Sequence, residues 1–65
     1  MDNENVEYID AEGNLLFKEV IPYGNIPPVG RHVKWHTFKW VVSHILENWD
    51  SKKTIVTLQL LTEIN

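Results

Sequence analysis

The segment Pro22-Tyr23-Gly24-Asn25-Ile26-Pro27-Pro28-Val29-Gly30 constrains this chain more than any other. It packs three prolines into seven residues. Each fixes φ and removes a backbone donor, and each pushes the residue before it toward an extended conformation. No regular element can run through such a stretch. It predicts a long connection from an N-terminal hairpin to the rest of a sheet, with bends at Gly24 and Gly30.

The flanks read as strands. Val6 to Asp10 places Val6 and Tyr8 on one face and Ile9 on the other. Asp10-Ala11-Glu12-Gly13-Asn14 has the chemistry of a type I turn closed by a bulge, because Asp bonds its own backbone ahead and Gly takes positive φ. Leu15 to Ile21 returns as the partner strand, with Leu15, Phe17 and Ile21 on one face. After the proline segment, Arg31 to Trp35 resumes with Val33 and Trp35 facing one way, and His36-Thr37 reverses or turns the chain. Phe38, Trp40, Val42, His44 and Leu46 then alternate with Lys39, Val41, Ser43, Ile45 and Glu47. Asn48 to Lys52 forms a polar turn, and Thr54 to Leu60 is rich in β-formers.

A helix over residues 37–49 is the rival reading. Phe38, Val41, Val42, Ile45 and Trp49 also fit helical spacing, with Thr37 as cap. The strand reading is preferred because the segment is β-branched and aromatic and has no Ala, with Lys39 and Glu47 its only Lys and Glu of the kind that favour a solvent-facing helix. The expected fold is therefore all-β: one domain over residues 1–65, frayed over 1–5, with strands near 6–10, 15–21, 31–35, 38–47 and 54–61. The expected core is Tyr8, Leu15, Phe17, Val29, Val33, Trp35, Phe38, Trp40, Val42, Val56, Leu58 and Leu60.

Length and charge bound the function. A domain of 65 residues buries only about 60% of its unfolded surface. Without cysteine it has neither a disulfide nor a thiolate nucleophile, which suits a reducing compartment. No apolar run approaches a membrane span, and the acidic start MDNENVEYID is the opposite of a signal peptide. A soluble cytoplasmic protein is expected. The net charge of −3 divides unevenly. Residues 1–12 hold Asp2, Glu4, Glu7, Asp10 and Glu12, whereas residues 13–65 set six Lys/Arg against Glu19, Glu47, Asp50 and Glu63.

The order of features resembles a known group. Asp10 to Gly13, Pro27-Pro28-Val29-Gly30, the strand Arg31 to Trp35, the aromatic-led Phe38 to Ser43, the turn Trp49-Asp50 and the strand Thr54 to Leu58 follow one another. In this they are similar to small SH3-like β-barrel proteins of unknown function found in phages and prophages. Two departures stand out: Arg31 follows Gly30 where an acidic residue is usual, and His36-Thr37 replaces a turn glycine. The resemblance implies a five-stranded SH3-like barrel and a mobile-element origin, and it carries no catalytic residues.

Chemistry is sparse. His32 and His36 on a strand stand roughly 13 Å apart, too far to share an ion, and no cysteine joins them. Ser43 and His44 are neighbours and point to opposite faces of a strand. Neither a metal, a cofactor nor a catalytic group is expected, and so no enzyme. Two binding readings remain. Arg31, Lys34 and Lys39 with Trp35 and Trp40, and with Lys52 and Lys53 nearby at the turn, could bind single-stranded nucleic acid weakly, rings stacking on bases and cations tracking phosphates. The preferred reading is a protein-binding module, a phage-derived protein acting on a host protein, with Trp49, Tyr23, Arg31, Lys34 and Lys39 as contact residues. Trp49 either stands exposed in its polar turn or folds back over the barrel end. An edge strand, with Thr54 to Leu61 the candidate, could also pair with a second copy.

Overall fold

The computed structural model describes residues 3–63. Five strands make up the chain: β1 Asn3–Ile9, β2 Leu15–Pro22, β3 His32–Trp35, β4 Phe38–Asn48 and β5 Lys53–Glu63. There is no helix among the described residues, so the helical reading of residues 37–49 gives way to β4. The strands form one curled, half-barrel sheet in the order β2-β1-β5-β4-β3. This is the small, barrel-like all-β architecture that the alternation predicts.

The hairpins follow local chemistry. Between β1 and β2 the Asp10 carboxylate accepts from the backbone N–H groups of Glu12 and Asn14, each at 2.9 Å. Gly13 sits at φ 89°. The N–H of Asn14 holds the Asp10 carboxyl below its ordinary value. The register shifts beside Tyr8 and Ile9, so Tyr8 faces Phe17 and Ile9 faces Leu15. This is the bulge that the turn sequence implies.

The other connection is non-local. β1 and β5 run parallel, with Val6 opposite Thr54 and Tyr8 opposite Val56. A parallel pair needs a long crossover. Here β2, the proline segment, β3 and β4 together supply it.

The core consists of Val6, Tyr8, Trp40, Val42, Val56 and Leu58. Half-buried Phe17, Val33, Trp35 and Phe38 pack against it. The edge strands β2 and β3 share no ladder, yet aromatic rings connect them. Tyr8 stacks on Phe17 at 4.3 Å, Phe17 on Trp35 at 5.0 Å, and Trp35 meets Trp40 at 6.0 Å. The Trp40 indole N–H donates to the Trp35 carbonyl at 3.2 Å, so its polar edge is satisfied in the core.

Several expectations are corrected. Residues 3–5 are not frayed: they belong to β1, where Asn3 faces Pro22 and Asn5 faces both Val20 and Lys53. Met1 and Asp2 lie outside the described residues. Leu15, Val29 and Leu60 are exposed rather than core. Leu15 sits beyond the bulge, Val29 lies in the proline segment, and Leu60 lies past the end of β1, whose ladder stops at Thr57. His44, on the alternation face of Phe38, Trp40 and Val42, is exposed. A bulge at Ser43 makes Val42 face Leu58 and His44 face Thr57, and this reverses the alternation. Ile45 then packs inward, and Leu46 turns out. The segment Thr54 to Leu61 is no edge strand, because β5 lies between β1 and β4. Only its part beyond Thr57 has a single ladder neighbour.

Candidate functional site

One end of the sheet gathers the start of β1, the end of β2, the end of β4 and the start of β5. The pairs Asn3–Pro22, Asn5–Lys53 and Asn48–Lys53 fix this arrangement. Two turns project there. Asn48 accepts from the N–H groups of Asp50 and Ser51 at 3.1 and 3.2 Å, and Lys52 takes φ 54° to bring the chain back. Trp49 is carried on this turn, 82% exposed. On the other side the N–H of Asn25 donates to the Pro22 carbonyl at 3.1 Å, with Gly24 at φ 91°. That four-residue turn presents Tyr23, 73% exposed. Of the two sequence readings of Trp49, exposure holds.

Between the turns lies an open cleft of about 580 Å³. Tyr23 and Trp49 line it together with Glu4, Glu47, Lys52, Lys53 and Thr54. Its wall continues the core. Glu4, Val6 and Tyr8 share one face of β1, and Thr54, Val56 and Leu58 share the matching face of β5. The last rung of this inward face is polar: Glu4 is only 9% exposed, and its Oε2 accepts from the Thr54 hydroxyl. Lys53 pairs with Glu7 at 3.1 Å.

The basic contact residues lie elsewhere. Lys34 and Lys39 face each other across β3 and β4, and Arg31 precedes β3 with its carbonyl accepting from the Val42 N–H at 2.9 Å. Lys39 lies near the start of β4 and Trp49 just past its end, about 30 Å away at the usual rise per residue. The structure thus joins Trp49 with Tyr23 and separates both from Lys34 and Lys39. Nor do the rings of the 31–40 segment offer a stacking platform. Trp40 is buried, and Trp35 is engaged by Phe17, His36 and Trp40.

Sequence reasoning missed Glu4 and Thr54 as parts of a site, and set Lys53 only beside a nucleic-acid surface. The signal was present: Glu4, Val6 and Tyr8 alternate at period two. The parallel pairing that sets Glu4 beside a residue fifty positions away is not visible locally. Comparison with protein-family models, curated proteins and solved structures finds no match to this chain. Among the described residues no helix is long and apolar enough to cross a membrane.

Proposed function

We propose that this protein is a non-enzymatic protein-binding module whose contact surface is the Tyr23–Trp49 end of the sheet. One observation carries the reading: two large aromatic side chains, 73% and 82% exposed, flank a single cleft on turns fixed by their own hydrogen bonds. A small domain gains nothing in stability from leaving such rings in water. Rigid aromatic side chains in this setting are the usual anchors of protein interfaces. The resemblance to phage proteins makes a host protein the partner, and the lack of cysteine suits action in the cytoplasm.

The test is capture of a partner from host lysate by the intact chain and by Trp49→Ala and Tyr23→Ala variants. Both substitutions are on the surface and are expected to change stability by less than about 0.5 kcal/mol. A specific partner should be retained by the parent and lost by at least the Trp49 variant. Capture that survives the double substitution would refute the reading.

A further inference from the structure

The chemistry of the Tyr23–Trp49 cleft goes further than its exposure. Two aromatic rings stand at its rim, and an inward-facing carboxylate stands in its wall. Thr54 occupies Oε2 of Glu4, and no other described residue donates to that carboxylate. Glu4 has a residual exposure of 9%, and it opens on the cleft. The remaining charges favour one sign of ligand. Lys53 is already matched by Glu7 at 3.1 Å. Glu4 and Glu47 then outnumber Lys52 in the lining.

We infer that the cleft receives a cationic side chain, an arginine or a lysine projecting from the partner protein. Its charged head pairs with Glu4 while its stem or guanidinium plane lies against Trp49 and Tyr23. Aromatic faces attract cations through their quadrupole, most strongly for tryptophan, and a partly desolvated carboxylate strengthens an ion pair relative to one in open water. Arginine suits the site better than lysine because its flat head can stack on a ring while it bonds a carboxylate. The 580 Å³ of open space admits either. The inference rests on the protein-binding reading and specifies what the partner must present.

The test uses the whole protein and blocked Gly/Ser hexapeptides carrying one central Arg, Lys or Glu, with oligothymidylate as a fourth probe. Binding is read from the chemical shifts of the Trp49 indole N–H and the Tyr23 ring. The arginine peptide should move both signals, with affinity at least about tenfold above the glutamate peptide. Raising the ionic strength should weaken it. Trp49→Ala, read from the Tyr23 ring alone, should abolish the response. Lys52→Glu should strengthen it several-fold by removing the opposing charge, a change in sign that loss of structure cannot imitate. Glu4→Gln keeps the acceptor for Thr54 but removes the charge, and should cost about tenfold. Equal or tighter binding of the glutamate peptide or of oligothymidylate would overturn the inference, as would unmoved Trp49 and Tyr23 signals at saturating arginine peptide. Failure here is separable from failure of the protein-binding reading. A captured partner that needs Trp49 but binds the Lys52→Glu and Glu4→Gln variants with unchanged affinity sinks the cation and leaves the module standing. A partner indifferent to Trp49 and Tyr23 sinks both.

Discussion

Tyr8 shows how much one side chain can tie together. Its ring is buried and stacked on Phe17 at 4.3 Å, while its hydroxyl donates to Glu19 at 2.5 Å. Burial raises its pKa first, and the hydrogen bond and charge of Glu19 raise it further. A folded-state pKa above the unfolded value of 10.0 means that its stabilising contribution is complete below pH 10 and is lost as pH rises beyond it. Tyr8→Phe removes the hydrogen bond and should cost about 1 kcal/mol at pH 8. It also removes the titrating group, so the gap between parent and variant should narrow as pH is raised above 10. Urea unfolding of both proteins between pH 8 and 11 measures this, and a constant gap would contradict it. A second residue carries strain. Lys52 at φ 54° sits in a region that costs an L-residue about 1–2 kcal/mol, part of which glycine returns through its extra freedom when unfolded. Lys52→Gly should therefore stabilise the fold by about 0.5–1 kcal/mol, visible as a rise in Tm. The two turns differed in legibility for this reason. Asp10 and Gly13 advertise their roles because each acts on its own backbone. Nothing in a lysine announces a left-handed conformation, and its place in the Trp49 turn is settled by the strands it joins.

At the scale of elements, alternation located the strands well and their faces less well. In β4 apolar residues stand on both alternation faces, Val41 and Ile45 against Phe38, Trp40, Val42 and Leu46, so polar His44 is only a weak mark of the extra residue at Ser43. Ser43 Oγ donates to the Thr57 carbonyl at 3.2 Å, but a serine on a strand makes such bonds with or without a bulge. Only the β5 register shows that Ile45 takes the inward place which alternation assigns to His44. The same limit applies to β2, where Leu15 and Phe17 share a face by parity but the bulge beside Tyr8 separates their fates. Phe17 lies between Tyr8 and Trp35, whereas Leu15 is exposed. Phe17→Ala should cost about 2–3 kcal/mol, reduced from a full core value because the ring is half-buried. Leu15→Ala should cost well under 1 kcal/mol. Chemical unfolding of the pair decides the matter, and equal losses would mean that Phe17 does not hold β2 to β3.

On the scale of the molecule, the sheet is held by one seam that sequence could not show. The succession of strands was legible, because each strand and turn is specified within a few residues. Their lateral order was not, because β1 and β5 meet only after the whole chain has gone around. That seam explains why an acidic, polar start is structured: Asn3 to Asn5 complete the ladder to β2, Asn5 begins the one to β5, and Glu4 reaches Thr54. It also links folding to the candidate site, since the same residues build the cleft wall. Removing residues 1–5 would strip paired backbone from the end of β2, leave the Thr54 hydroxyl without its acceptor and open the Val6–Val56 core to water at one end. An unpaired buried polar group alone costs about 1–3 kcal/mol. A domain of this size holds only about 3–10 kcal/mol in total. The truncated chain should therefore lose at least about 2 kcal/mol, a fall in Tm of roughly 8–16 °C. An expendable polar tail would leave Tm unchanged, so thermal unfolding of the two forms separates the possibilities. Amide exchange adds the spatial test: protection should fall first in β2 near Val20 and in β5 near Thr54, the strands that flank Asn5, and last in the β4–β5 ladder from Trp40 to Leu58.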